Sequence, residues 1–302
     1  MSKPLPSMPA DTWEHKKLWV RVKEALGALP VYFRSDTFIE GINATDIFTL
    51  NSALGATIEN QVVDTLNQIR NVWDSEEKYL THVFVRQPQS FPDVVLKNIS
   101  DESATPILGI ELKGWYLLAK EGEPSLRFTQ NFQACSDADL IMVVPWVLSN
   151  VISGRPKIST SFIESAKYVA QFRNYHWQHM REAKTDSSIE LPKGPITPYP
   201  SKADATTDSP KSDKGGNFGR IARTGIMDEY IKRVKSIPVC GIKAHYWLEF
   251  FKMFHEGSTE KQIAEALQNL KKRISAESSA LPSDRKEVLN ILYAIEQLVN
   301  KY

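Results

Sequence analysis

Three residues in the first half of the chain combine two carboxylates with a lysine. Asp93 follows a proline, and Glu111 and Lys113 stand two positions apart further along. Two carboxylates brought together make an oxygen-rich pocket suited to Mg²⁺, a hard cation that prefers carboxylate and water ligands. A neighbouring lysine can hold a water, while the metal lowers the pKa of that water and offsets charge on a phosphate. We therefore predict that Asp93, Glu111 and Lys113 are catalytic, that the two acids bind Mg²⁺, and that the chemistry is in-line attack on a phosphodiester.

Two apolar segments are predicted to position these residues. Residues 93–96 and 107–115 have the composition of β-strands, joined by a polar, turn-rich segment. Because side chains alternate along a strand, Glu111 and Lys113 project from one face, and antiparallel pairing would bring Asp93 close to Glu111. Charges in an apolar strand are costly to bury unless they are paired or bind metal. The alternative is a surface salt bridge on a half-exposed strand.

An acid two positions before a lysine is by itself a common pattern. It also begins at Glu14, Glu76, Glu182 and Asp284. None of these four lies in an apolar strand, and none follows a Pro-Asp strand at a suitable distance. The context, more than the pattern, singles out Glu111 and Lys113.

With its Pro-Asp partner, this pattern resembles a known active-site signature. Pro92-Asp93, followed after a spacer by Glu111-x-Lys113, is similar to the motif of the PD-(D/E)XK nuclease superfamily, to which many type II restriction endonucleases belong. The resemblance covers roughly residues 54–180. It implies that Asp93 and Glu111 bind metal, that Lys113 positions or activates the attacking water, and that the products carry 5′-phosphate and 3′-hydroxyl ends. It also suggests Glu59, in a predicted helix ahead of the sheet, as a further metal ligand; the alternative is a solvated boundary residue.

The pattern of apolar residues predicts an α/β fold, a mixed β-sheet core flanked by helices, with a helical C-terminal region. The resemblance implies that this core is restriction-endonuclease-like. Further predicted strands are 81–85, 125–129 and 139–144, and predicted helices are 12–29, 54–70, 162–180, 221–234, 244–255, 260–274 and 285–299. We divide the chain into a nuclease core (1–185), an exposed loop or linker (186–218) and a helical region for DNA recognition or dimerisation (219–302), the last without a clear strand.

A basic, glycine-containing segment, residues 214–223, spans the boundary between the linker and the helical region. Glycines let backbone amides approach phosphates closely, and arginine can bind a phosphate or a guanine edge through two hydrogen bonds. Asparagine can read an adenine. We predict that Lys214, Asn217, Arg220 and Arg223 contact DNA. The alternative is a flexible linker whose charges are merely solvated.

Composition bounds the cellular setting. The chain has 302 residues, a formal net charge of +1 and two cysteines. We expect no disulfide, no secretory signal and no membrane span, and hence a cytoplasmic protein. The near-neutral charge neither requires nor excludes nucleic acid, because a binding surface can be local. Nucleotide-binding, serine-hydrolase, zinc-protease and paired-cysteine motifs are all missing from the sequence.

These observations predict a Mg²⁺-dependent, site-specific endonuclease that cuts double-stranded DNA in the restriction of foreign DNA. A homodimer is expected, because two copies related by a two-fold axis most simply cut both strands of a palindrome. A DNA methyltransferase acting on the same site would be its cognate partner. The alternatives are a repair or recombination nuclease on the same fold, a non-catalytic DNA-binding module, and an α/β protein whose hairpin charges are structural.

Overall fold

A computed structural model describes residues 2–43, 46–87, 90–101, 103–182, 186–254 and 258–276, and in the C-terminal segment residues 286, 289–290, 292–295 and 297. The chain folds as a mixed α/β structure with helices flanking a mixed sheet, so the predicted fold class is confirmed at this level. The helices are α1 (Lys16–Tyr32), α2 (Leu50–Gln68), α3 (Arg70–Trp73), α4 (Ala166–Tyr175), α5 (Asp228–Lys235), α6 (Ala244–Met253) and α7 (Glu260–Ala276). A π-helical turn, His176–Met180, follows α4 directly.

The main sheet has six strands, with the order β1-β2-β3-β4-β5 and with β6 also pairing β4. They are β1 (His82–Arg86), β2 (Val94–Asn98), β3 (Leu108–Tyr116), β4 (Leu140–Leu148), β5 (Pro156–Ile158) and β6 (Phe162–Ser165). Strands β1, β2 and β3 form an antiparallel meander, whereas β3 and β4 run parallel. All of β4 is buried, as its unbroken apolar sequence predicted. In this strand order the middle strand is β3, which carries Glu111 and Lys113.

Helix α2 covers the sheet beside β3 and β1. Its stripe of Ile58, Val62 and Leu66 is fully buried, as the three- and four-residue spacing of apolar residues predicted. Glu59 lies next to this stripe and is only 9% exposed. The helix therefore directs an acid towards the strand that carries the predicted catalytic residues.

Strand β1 forms one edge of the sheet, and side chains cover its outward main-chain groups. The Asn67 amide of α2 both donates to the Phe84 carbonyl and accepts from the Phe84 N–H, at 2.9 Å in each case. The Arg70 guanidinium donates to the carbonyls of Tyr79 and His82, both at 2.6 Å. The outward N–H and C=O groups of His82 and Phe84 are thus all hydrogen-bonded.

Several predicted boundaries are corrected by the structure. The predicted helix 162–180 begins with strand β6, because an aromatic and β-branched start adds to β4, and Ser165 then caps α4 by accepting from the Tyr168 N–H at 3.3 Å. Residues 125–129 form no strand; Arg127 makes only an isolated bridge to Arg220. Helix α1 begins at Lys16, four residues after the predicted start.

The C-terminal third contains two strands, and the prediction that it has none is wrong. Strands β9 (Pro238–Val239) and β10 (Ile242–Lys243) form a hairpin whose two-residue turn, Cys240 and Gly241, has positive φ angles. Helices α5, α6 and α7 match the predicted helices, although 221–223 form a 3₁₀ turn ahead of α5. Of the predicted helix 285–299, residues 286, 289–290, 292–295 and 297 are described, and all of them are helical.

The expected exposed loop 186–218 is partly buried. It contributes β7 (Ile189–Glu190) and β8 (Ser209–Pro210), and Asp208 is 2% exposed. The reason is a long-range ion pair: Asp208 bonds to the guanidinium of Arg173 on α4, whose side chain is also buried. Arg173 further donates to the carbonyls of Phe128 and Gln130, at 2.9 and 3.0 Å. A polar sequence here packs against the core because its charge is paired.

Gly109 of β3 leaves room for Pro92, the residue before Asp93, to pack closely against the strand. A Cβ at this position would lie 2.2 Å from Cγ of Pro92 and 3.0 Å from Oδ1 of Asp139. We expect Gly109→Ala to lower the free energy of unfolding by about 1–3 kcal/mol, the usual cost of overpacking. Urea denaturation of Gly109→Ala and of Gly41→Ala, where an added Cβ has no neighbour within 4 Å, measures this. Equal stability of the two variants would contradict the packing argument.

Within the described residues, no helix is long and apolar enough to cross a lipid bilayer.

Candidate active site

The register of β2 and β3 brings two carboxylates together. Val94 pairs with Ile110, so Asp93 lies at the end of the ladder, opposite Glu111. There Asp93 Oδ2 accepts from the Leu112 N–H at 3.0 Å, in the place of a main-chain acceptor. Glu111 and Lys113 are the two half-buried positions in an otherwise buried β3, as the predicted alternation requires.

Burial perturbs both carboxylates. It raises the pKa of Glu111 to about 8, with the negative charge of Asp93 as the next cause. Burial also raises the pKa of Asp93, and the Leu112 amide partly offsets this by bonding to the charged form. Nearby Lys113 lowers the pKa of each acid, but by less than burial raises it. Two adjacent anions at this place are therefore unfavourable without a further positive charge.

Glu59 joins the site from α2. Its Oε1 accepts from the Gly114 N–H at 2.9 Å and lies 3.9 Å from Nζ of Lys113. Its Oε2 lies 3.5 Å from Nη2 of Arg86. The charge of Glu59 also raises the pKa of both Asp93 and Glu111. These contacts place Glu59 beside the lysine; its role as a metal ligand stays a prediction.

The donor set suits a hard divalent cation. In the described part of the chain, no group of three or more Asp, Glu, His or Cys side chains is arranged to hold a metal ion. The available ligands are therefore the paired carboxylates of Asp93 and Glu111, and Mg²⁺ commonly binds through one or two carboxylates together with waters. A divalent charge would stabilise the ionised carboxylates against the burial and the repulsion that raise their pKa values. The residues present fit Mg²⁺ on this ground.

Arg86 is a component of this site that the sequence reasoning did not identify. It ends β1 and pairs with Val94, so its guanidinium lies beside Asp93 and lowers the pKa of that acid. Its Nη1 donates to the Asn60 side chain at 2.5 Å, and its side chain remains 32% exposed. The signal in the sequence was present, because a cation directly follows the predicted strand 81–85.

The four predicted DNA-contacting residues lie on a different part of the surface. Asn217 accepts from the Arg223 guanidinium at 2.5 Å, and Arg223 is also paired with Glu123 at 2.6 Å. Lys214 and Arg220 have no side-chain partner within the described residues. No hydrogen bond or ion pair that the structure describes joins this segment to Asp93, Glu111 or Lys113.

Packed rings connect the two areas. Arg127 forms a bridge with Arg220, and the neighbouring Phe128 N–H donates to the Gly219 carbonyl at 2.8 Å. The Phe128 ring lies 5.6 Å from the ring of Phe91, measured between centroids. Phe91 stands two positions before Asp93 and is joined to Pro92 by a cis peptide bond.

Comparisons with known proteins do not identify a family. No protein-family model, no curated protein and no solved structure matches the chain. The resemblance to the PD-(D/E)XK superfamily thus rests on the motif residues alone, and it stays a prediction.

Proposed function

We propose that this protein is a Mg²⁺-dependent, site-specific endonuclease with a restriction-endonuclease-like fold, which cuts double-stranded DNA to 5′-phosphate and 3′-hydroxyl ends. The observation that carries the proposal is the pair of half-buried carboxylates, Asp93 and Glu111, which lie opposite each other on adjacent strands beside Lys113. Such a cluster is expensive to bury, and a structural salt bridge would not need a second and third acid. A cation-binding site accounts for it.

Each residue has a separate task in this proposal. Asp93 and Glu111 would hold Mg²⁺, which when bound supplies positive charge for the phosphate and acidifies a bound water. Lys113 donates from its ammonium to the attacking water or to a phosphate oxygen. Glu59 holds that ammonium in place, and Arg86 adds a second cation beside the other oxygen of Glu59.

We further propose that the protein acts as a homodimer in the cytoplasm, with double-stranded DNA as substrate. A two-fold axis would bring one site to each strand of a palindrome. A methyltransferase that modifies the same sequence would protect the host DNA.

Cleavage of a long phage DNA with Mg²⁺ tests the proposal. We expect discrete fragments from the wild type and none from Lys113→Ala. Lys97→Ala, which removes a half-buried lysine from neighbouring strand β2, is the matched control and should cut normally.

Three outcomes would change the proposal in different ways. A smear of fragments would favour a repair or recombination nuclease. Binding without cleavage under every divalent metal would favour a non-catalytic DNA-binding module. Normal cutting by Lys113→Ala would remove this lysine from the chemistry.

A further inference from the structure

A basic pocket lies where the π-helical turn after α4 meets the glycine-containing segment 214–224. It has a volume of about 230 Å³. That is room for several waters, each of which takes about 30 Å³ in the liquid. Among its described lining residues the basic side chains outnumber the one acid, Glu182. The lining residues include His176, Trp177, Arg181, Lys214, Arg220 and Arg223.

The cations in this pocket differ in what they already bind. Arg223 is committed to Glu123 and Asn217, and the Arg181 guanidinium stacks 3.5 Å from the centre of the Trp177 ring. Lys214 and Arg220, by contrast, keep their charges unpaired within the described residues. An anion entering here would meet two available positive charges, with the other cations held around it.

Two buried ring nitrogens in the pocket wall are also without a partner. Trp177 is 5% exposed, yet its Nε1 has no acceptor among the described residues. Nδ1 of His176 is also buried without a hydrogen-bond partner there. An indole N–H can only donate, and a buried donor without an acceptor is rare in folded proteins. The indole N–H is closed to solvent as the side chain stands, so an oxygen-rich anion would supply the missing acceptor after a small movement of the ring.

We propose that this pocket binds one phosphate group, through the charges of Lys214 and Arg220 and the N–H of Trp177. The phosphate is either a backbone phosphate of DNA or free inorganic phosphate. The first source rests on the proposed function, whereas the second does not. Phe128 bonds to Gly219 in the pocket wall and packs on Phe91, two positions before Asp93, so packed residues join the pocket to the segment that carries Asp93.

In this proposal Asn217 and Arg223 do not contact base edges, which is the role that their residue types suggested. Their side chains bond to each other, which leaves neither free to form the paired hydrogen bonds that read a base edge. In this proposal they fix the wall of a sequence-independent anchor. Phosphate contacts set the position of a protein on DNA without reading its sequence.

Two measurements on the full-length protein in EDTA test the proposal. The first is the thermal shift caused by inorganic phosphate over chloride at equal ionic strength, which we expect in the wild type and which Arg220→Gln and Trp177→Phe should abolish. The second is the affinity for a short labelled duplex as salt is varied. Arg220→Gln should weaken duplex binding several-fold and reduce the slope of log K against log salt by about one.

Lys17→Gln, which removes an exposed charge from α1, is the control for both measurements and should change neither the phosphate shift nor the slope. Loss of the phosphate shift together with a lower slope assigns the pocket to DNA. Loss of the shift with an unchanged slope, or with no duplex binding at all, assigns it to free phosphate. No phosphate shift in the wild type and an unchanged slope in Arg220→Gln would overturn the proposal.

Discussion

Glu111→Gln is expected to abolish cleavage while making the metal-free protein more stable. The rate of DNA cleavage with Mg²⁺ should fall by at least about 10²–10³-fold, because one of two metal-binding carboxylates becomes a neutral amide. The same change removes a carboxyl group whose ionised form is disfavoured in the folded protein by burial and by the charge of Asp93. In EDTA at pH 8, we expect the free energy of unfolding to rise by roughly 1–3 kcal/mol.

The stability gain should depend on pH in a defined direction. Below pH 4.5 Glu111 is protonated in both the folded and the unfolded chain, so its burial costs little. Between 4.5 and about 8 the unfolded chain loses this proton while the folded protein retains it, because burial raises the pKa of Glu111 to about 8. Wild-type stability should therefore decline across this window as pH rises, and Glu111→Gln should decline less. Burial also raises the pKa of Asp93, so this acid adds to the decline of stability with rising pH in both proteins.

Urea denaturation in EDTA from pH 4.5 to 8.5 measures this difference. Glu164→Gln is the matched control, because Glu164 lies on strand β6 of the same sheet and bonds to the Ser165 N–H. It should leave cleavage unchanged and keep the wild-type dependence on pH. Parallel stability curves for wild type and Glu111→Gln would refute the argument for a strained carboxylate pair, and normal cutting by Glu111→Gln would refute its catalytic role.

Arg173→Met is expected to be the most destabilising single change, lowering the free energy of unfolding by about 3–5 kcal/mol. Burial lowers the pKa of Arg173 to about 10, which still leaves it charged at neutral pH. Its removal strands the Asp208 carboxylate at 0% side-chain exposure and leaves the Phe128 and Gln130 carbonyls without their shared donor. Methionine replaces the volume but none of these bonds.

A second substitution separates the stranded charge from the lost packing. Arg173→Met combined with Asp208→Asn should recover part of the stability, because the remaining buried group is then neutral and its one amide oxygen still accepts from Asn131 or Asn174. Arg155→Met, at an exposed arginine that donates to the Ser35 carbonyl, should cost less than about 1 kcal/mol. If Arg173→Met costs no more than Arg155→Met, the buried ion pair does not stabilise the fold.

The sequence predicts the sheet core well because its signals are local. The spacing of Ile58, Val62 and Leu66 predicts a helix with one buried face, and the apolar run of β4 predicts a strand covered on both sides. Asp93, Glu111 and Lys113 follow from the same strand periodicity, and the structure brings these three together. Glu59 was suggested by the resemblance alone, and its bond to the Gly114 amide, which links positions 55 residues apart, could not be inferred.

What the sequence does not predict depends on pairing between distant residues. Asp208 looks solvent-exposed in a polar segment, and only the approach of Arg173 makes its burial favourable. The basic pocket has the same origin, because Trp177 and Arg220 share no local pattern. Arg86 was missed because its importance comes from the antiparallel pairing of β1 with β2.

The covered edge of β1 limits how two copies of this chain can associate. An edge strand with unpaired main-chain groups is a template for another strand, and it is the usual route to strand exchange and aggregation. Here Asn67 and Arg70 already occupy those groups at Phe84 and His82, so a sheet continuous across two subunits cannot start there. A dimer on DNA that formed at this side of the sheet would instead meet through helices and loops. The span between its two carboxylate pairs, and therefore the stagger between the two cuts, would be set by these connecting elements.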